Sequence, residues 1–327
     1  MIYSLAITGP TASGKTSISI ELAKQISAEI ISCDSMQIYK GMDIGTAKAT
    51  PSERAAVPHH LLDFLSPKED FSAEEYRKMA LAAAEDITER GRIPMLVGGT
   101  GLYVDTLMRA AQTDVPESSR EYRDRIMESV RTEEDVVALW ERLFSVDPES
   151  AEAIHKNNVR RVIRALEIYD VTGKPKSYFD RLSRMGRSDI KIGMITLDFH
   201  NRENLYSRVD MRVDEMIKEG LASEVKTLYE NGLLEKNTTA AQAIGYKEML
   251  TYIKGEATLA EAVGEIKLST RRYAKRQLTW FRHEKDAYRL YLDLEDGKMR
   301  DKKEILDEAA CAAHAFMRGF NSESKRT

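Results

Sequence analysis

The sequence predicts an α/β fold, a doubly wound parallel sheet whose run of strands is interrupted by an all-helical insertion. Three observations carry that reading. A glycine-rich loop, "GPTASGKT" at 9–16, sits between an apolar run and a helical pattern. Short apolar runs then alternate with segments of helical periodicity, the mark of βαβ units and a parallel sheet. From about Thr113 to Arg187 no convincing strand occurs, and strand character resumes at Lys191.

The chain opens on "YSLAIT" (3–8), a buried strand leading into the loop. Gly9, Gly14, Lys15 and Thr16 fit G-x-x-x-x-G-K-[ST], whose backbone amides and lysine cradle phosphates. Its glycines allow close backbone approach, the amides and the following helix N-terminus bind anions, and Thr16 is placed to ligate Mg2+. A strand before it and a helix after it mark a P-loop rather than a chance turn, so the core is P-loop NTPase-like. Ile18, Leu22 and Ile26 recur at four-residue spacing and predict a helix to about Ser27. "AEIISC" (28–33) is the second strand, with Asp34 just beyond it at the carboxyl edge, where such sheets bind ligands. Asp34 is there as a general base, as a partner of a metal's water, or as a turn aspartate. Gln37 carries an amide suited to an adenine edge.

Further along, "SAEEYRKMALAAAEDITERG" (72–91) opens with Ser72 and Glu75 in a capping-box pattern and closes on Gly91. The third strand, "PMLVGG" (94–99), runs into "VGGTG", which sets Thr100 beside the phosphate loop or in a plain strand-to-helix turn. A nucleotide hydrolase is expected to show a strand ending in a metal-binding Asp. Here glycines and a threonine stand instead. His59 and His60 in "VPHHLLD" lack a third ligand at suitable spacing and read as structural.

The insertion, 113–187, shows helical stretches such as "SSREYRDRIMESV" and "NNVRRVIRALEIYDVTG", leaving 1–112 and 188–327 as the core with its C-terminal helical region. Between His155 and Arg187 nine Lys/Arg face three acids, a net of +6 in a chain of formal charge −4. Arg160 and Arg164 share a helix face. "KIGMITLDF" (191–199) and "AYRLYLDL" (287–294) are the fourth and fifth strands. Arg208 and Arg212 lie four apart beside Leu205, Val209 and Met216, to reach phosphates or to pair with Asp210 and Glu215. "RRYAKRQLTWFRHEK" (271–285) mixes six Lys/Arg with Tyr273, Trp280 and Phe281. Basic stripes interleaved with aromatics suit a nucleic-acid backbone and splayed bases. A solvated face with pairs such as Arg164–Glu167 is the competing reading.

With 327 residues, 42% of them apolar, the chain can bury a sizeable core. Cys33 and Cys311 form no C-x-x-C pair, which argues against a zinc ribbon or disulfide framework and suits a reducing compartment. The N-terminus runs directly into a strand, leaving no room for a signal peptide. No apolar run approaches the ~18 residues of a membrane helix. These features predict a soluble cytoplasmic protein.

In order along the chain, "GPTASGKT", "DSMQIYKGMDIGTAK", "PHHLLD", "LVGGTGLY", "RVIRALE", "GYKE" and "AKRQLTWFR" resemble the tRNA dimethylallyltransferases, from Ala6 to about Arg282. The second and seventh motifs are specific; the first is shared by a broad class. A eukaryotic-type C-terminal zinc finger is absent, so the resemblance is to the compact bacterial form. It implies that Gly9, Pro10, Thr11, Ala12, Ser13, Gly14, Lys15 and Thr16 hold the pyrophosphate of dimethylallyl diphosphate, with Mg2+ on Thr16. It further implies transfer of the prenyl group to N6 of the adenine 3′-adjacent to the anticodon, in tRNAs reading codons that begin with U.

Under that resemblance Asp34 is the base, Lys15 and Arg212 (or Arg208) stabilise the departing diphosphate, and Thr100 counts among the catalytic residues. Asp34, Ser35, Met36 and Gln37 recognise the target adenine. Thr100, Arg123 and the stretch Arg160, Arg161, Val162, Ile163, Arg164 touch the tRNA; Arg160 stands where many relatives have Gln. The implied partners are a tRNA anticodon stem-loop and dimethylallyl diphosphate, with no membrane and a monomeric enzyme. Two rivals compete. A small-metabolite P-loop kinase accounts for 1–50 and 93–101 but not for 271–285. A non-catalytic RNA-binding ATPase accounts for the basic stripes and leaves Asp34 and Gln37 idle.

Overall fold

In the computed structural model, residues 1–109, 115, 119–186, 188–235 and 238–324 are described. The first unit comprises Met1–Met108 and Ile190–Thr327. It opens with β1 (Ile2–Thr8), α1 (Lys15–Ile26), β2 (Ala28–Ser32), α2 (Pro51–Ala56), β3 (His59–His60), α3 (Ala73–Glu89), β4 (Ile93–Gly98) and α4 (Gly101–Met108). All the strands read from the sequence are present. The helix expected over 72–91 forms as α3, with Ser72 and Glu75 in a reciprocal capping box. β3 escaped sequence reading because two histidines give no apolar period; pairing with Ile30 and Ile31 makes it a strand.

The second unit, Arg109–Asp189, holds helices joined by turns and no strand among its described residues. The expected boundaries of the insertion, Thr113 and Arg187, lie outside the described residues. The unit contains α5 (Arg120–Ser129), α6 (Glu133–Val146), α7 (Pro148–Ala153), α8 (Val159–Thr172) and α9 (Lys176–Met185). Ser119 caps α5, and Thr132 with Asp135 forms a capping box on α6. Asp147 accepts the Ser150 amide at 3.1 Å and the Ser177 amide at 3.0 Å, tying α7 to α9. Leu143, Ala151, Ile154, Val162, Ala165 and Leu166 form its core. Trp140 closes that core, its indole N–H donating to the Ala151 and Ile154 carbonyls.

The first unit resumes with β5 (Ile190–Asp198), α10 (Arg202–Glu219), α11 (Leu221–Glu230), α12 (Tyr246–Ile253), α13 (Leu259–Arg282), β6 (Tyr288–Tyr291) and α14 (Lys302–Ser324). The strands make one sheet in the order β3-β2-β4-β1-β5-β6, and every pairing is parallel. Both faces are covered, so the strands are apolar on both sides. Leu5 and Ile7 pack with α1 and α14, whereas Ala6 and Ile31 pack with α3 and α4. Each fully buried aliphatic side chain of this kind contributes about 1.5–3 kcal/mol. The register aligns Thr8 with Gly98 and Thr196, and Ser32 with Val97, so β1, β2, β4 and β5 finish at one edge. A third cluster buries Ile38, Tyr39 and Met42, from the stretch after Asp34, against Val213, Leu221, Val225 and Tyr246.

Candidate active site

The chain leaves β1 at the carboxyl edge and turns immediately into the phosphate loop. Gly14 caps α1 with φ 85°, a left-handed conformation that glycine adopts without the cost a Cβ brings. No side chain caps that helix end and no acid occupies its first turn, so its amides and positive end are presented to an anion. Lys15 folds back over the loop, its ammonium donating to the Gly9 carbonyl at 3.1 Å and the Pro10 carbonyl at 2.7 Å. Arg208 and Arg212, one turn apart on α10, divide the roles left open by the sequence. The Arg208 Nε donates to the Ala12 carbonyl at 2.8 Å and so grips the loop itself. The Arg212 Nε is buried with no hydrogen-bond partner among the described residues, and its charge acts on Lys15 and Asp34. The alternative of pairing these arginines with Asp210 is not what forms: Asp210 binds Arg271 of α13, at 2.9 Å through Nε.

Burial, with the nearby Arg212 charge, lowers the Lys15 pKa to about 7, and the Asp34 carboxylate opposes the shift. Burial also depresses both arginines, more than Asp34 restores at Arg212. Cations crowded on an uncapped helix end repel each other unless a polyanion joins them. That is the electrostatic signature of a phosphate cradle. Thr16 lies in the first turn of the helix, with its side chain half-buried.

Asp34 follows β2 and stands at the same edge. One of its oxygens, Oδ1, accepts the Met36 amide at 2.9 Å, so the turn role is real and leaves Oδ2 for chemistry. Thr100 lies across from it: its hydroxyl accepts the Ser35 amide at 3.0 Å and donates to the Ser35 hydroxyl at 3.3 Å. The VGGTG turn therefore clasps the Asp34–Ser35 segment. Gln37 departs from the expectation of an amide free for a base edge. Its Nε2 donates to the Thr46 and Ala47 carbonyls at 3.2 and 3.3 Å, and its Oε1 accepts from Ser32 at 3.3 Å. Met36 packs against the third apolar cluster.

In the second unit, the stretch expected to touch tRNA divides by helix face. Val162 and Ile163 are both 1% exposed, so the expectation of RNA contact through their side chains is corrected: they are core. Arg164 pairs with the buried Glu167 at 2.7 Å. Arg160 and Arg161 are exposed and form no ion pair among the described residues, as do Lys156 and Arg184. Arg123 is half-buried at the start of α5, its Nε donating to the Ser119 carbonyl. Arg187 lies outside the described residues. On α13, Phe281 is buried and Arg282 binds the buried Asp198 at 2.7 and 2.9 Å. Arg272, Arg276 and Trp280, spaced by four, share one exposed stripe, and Arg276 lies over the Tyr273 ring. The His60 Nε2 pairs with a Glu29 carboxylate oxygen at 2.8 Å, and the His59 Nδ1 lies 2.7 Å from the Val57 carbonyl.

Against known proteins, the family model for IPP transferase matches residues 37–284. The chain belongs to the IPP transferase family. Among relatives, a tRNA dimethylallyltransferase of Thermoanaerobacter sp. (strain X514) is 48% identical over 282 residues, 86% of this chain and 89% of that one. One from Geobacillus thermodenitrificans (strain NG80-2) is 50% identical over 280 residues, 86% and 87% of the two chains. Among solved structures, a full-length tRNA isopentenylpyrophosphate transferase from Bacillus halodurans superposes with TM-score 0.72 at 41% identity, covering 100% of both chains. A eukaryotic dimethylallyltransferase acting on tRNA gives TM-score 0.74 at 32% identity, covering 89% of this chain and 74% of that one.

Two functional supports in this IPP transferase family member lay beyond sequence reasoning. Glu224 of α11 accepts the amides of Asp43, Ile44 and Gly45 at 3.0, 2.7 and 3.2 Å, and the Tyr246 hydroxyl at 2.6 Å. It thereby fixes the loop whose carbonyls hold Gln37. Gln277 of α13 bonds both the phosphate loop and the VGGTG turn. The resemblance quoted motifs containing Tyr246 and Gln277, but their partners sit 22 to 266 residues away, where no local pattern points.

Proposed function

We propose that this protein transfers the dimethylallyl group from dimethylallyl diphosphate to N6 of the adenine 3′-adjacent to the anticodon, in tRNAs reading codons that begin with U, and releases diphosphate. The observation that carries the reading is the convergence of Lys15, Arg208 and Arg212 on the uncapped loop, with Asp34 facing them. The diphosphate lies along the loop, Gly9 to Thr16. As the C–O bond of the donor breaks, negative charge grows on the departing oxygen, and preorganised cations stabilise it where it forms. The N6 amine is a weak nucleophile, so the Asp34 Oδ2 takes its proton as the new C–N bond forms. Thr100, held against Ser35, fixes the carboxylate's segment.

Mg2+ fits this donor set. It binds proteins sparingly and takes most of its ligands from substrate phosphates and water, and the Thr16 hydroxyl with the diphosphate oxygens suits that habit. When bound, the ion neutralises charge on the leaving group. The exposed Arg160 and Arg161, together with Arg123, hold the tRNA backbone, and the Arg272–Arg276–Trp280 stripe offers a stacking surface for bases flanking an extruded adenine. The enzyme works in the cytoplasm as a monomer. No helix among the described residues is long and apolar enough to cross a membrane.

The test incubates the protein with unmodified tRNA and labelled dimethylallyl diphosphate, then digests the RNA. Label on adenosine supports the reading; phosphoryl transfer from ATP to a small metabolite, with no labelled adenosine, overturns it. The relatives do not favour that kinase alternative.

A further inference from the structure

We propose that Gln277 is a positioning residue for the transfer step, its side-chain amide holding the phosphate loop and the Thr100 turn at a fixed separation. The inference rests on the reading of this site as a prenyl-transfer site. Gln277 is buried on the inner face of α13. Its Oε1 accepts the Thr11 amide at 2.8 Å, and its Nε2 donates to the Gly99 carbonyl at 2.9 Å. Thr11 follows Pro10, which has no N–H, so its amide is the first the loop offers after Gly9. That amide is committed to α13 rather than to a ligand.

Only an amide side chain serves both ends of this bridge. A carboxylate would face the Gly99 carbonyl with like charge, and an apolar chain would leave two buried backbone groups unpaired. The turn is matched to it: a Cβ at Gly99 would lie 2.1 Å from the Gln277 Nε2. Tyr273, one turn earlier on the same helix, lies near the side chains of Thr100 and Gln277. One helix face therefore touches the diphosphate cradle at Thr11 and the Asp34–Ser35 clasp at Thr100. These are the parts that carry the electrophile and the base. Misplacement of reacting groups by on the order of 1 Å costs about 10²-fold in rate.

The test compares wild type, Gln277→Met, Thr100→Ala and the double variant in single-turnover prenyl transfer at saturating tRNA and dimethylallyl diphosphate, with thermal melting of each. The expected result is a loss of about tenfold or more in the transfer rate of Gln277→Met, within the range that misplacement causes. Its KM values should stay near wild type; its melting temperature should fall, because the Thr11 amide and Gly99 carbonyl lose their partner, so the rate is taken per folded molecule. The double variant should be little slower than Thr100→Ala alone, because both changes undo one alignment. A Gln277→Met enzyme at the wild-type rate overturns the inference, as do losses that multiply in the double variant. So does a fall in melting temperature with the rate per folded molecule preserved. Should Gln277→Met fail to fold, Gln277→Glu, which keeps the acceptor for Thr11, goes through the same cycle. Absence of transfer by wild type overturns the functional reading itself, and the wild-type arm alone reveals it.

Discussion

At the scale of single residues the site is governed by where its protons sit. Lys15 carries a pKa lowered to about 7, so in the ligand-free protein it is mostly neutral at pH 8. A bound diphosphate favours the charged ammonium and raises that pKa, so binding at pH 8 must draw a proton from solution. A phosphate monoester's last ionisation lies near about 6, well below that pH. Calorimetry in two buffers of different ionisation enthalpy should therefore report uptake approaching about one proton per diphosphate at pH 8. At pH 6 Lys15 is already charged and its uptake vanishes; Lys15→Met should lack it at pH 8. Asp34 permits a cleaner separation of roles. Asn at this position keeps an oxygen to accept the Met36 amide, so the turn survives while the base is lost. Asp34→Asn should thus melt like wild type yet lose about 10² to 10⁴ in turnover, the range of a general base. An unchanged rate would leave Asp34 a turn residue only.

Single elements show why some of this was legible and some not. The strands with apolar runs announced themselves because a parallel sheet covered on both faces needs near-continuous apolar residues. β3 has no such run; it exists because Ile30 and Ile31 offer it an edge. α8 was legible as a helix but its faces were misassigned, since the motif run from Arg160 to Arg164 spans more than one turn. Val162 and Ile163 point inward with Leu166, and Arg164 is bound to the buried Glu167. The phosphate loop was readable because its contacts are local. Gln277 was not, because its meaning depends on Thr11, 266 residues away. The face assignment is testable. Arg164→Glu sets a second carboxylate beside Glu167 and should lower the melting temperature. Arg160→Glu with Arg161→Glu should leave it near wild type.

For the whole molecule, the proposed function divides the labour between a phosphate-binding core and the basic 155–187 stretch of the helical unit, in a chain of net charge −4. Backbone contacts by Lys and Arg carry no sequence information, and each one lost removes about 0.7–0.9 from the logarithmic salt slope of binding. The Arg160→Glu/Arg161→Glu variant should therefore raise the tRNA KM and flatten its salt dependence by roughly two contacts' worth on that scale. The KM for dimethylallyl diphosphate should hold, because the proposed diphosphate cradle is built from residues of the first unit. Normal tRNA binding by this variant would shift the grip to the Arg272–Arg276 stripe.

The two cysteines give the chain an unplanned convenience for labelling. Burial pushes the Cys33 thiol up to about 12, beneath the VGGTG turn, whereas Cys311 is exposed on α14. A maleimide dye attacks thiolates that solvent can reach, so the native protein should take up one dye, at Cys311, and the denatured chain two. Slow appearance of the second dye under native conditions would time the opening of the sheet edge beside Asp34. The unmodified sequence thus carries its own clock for breathing of the active site.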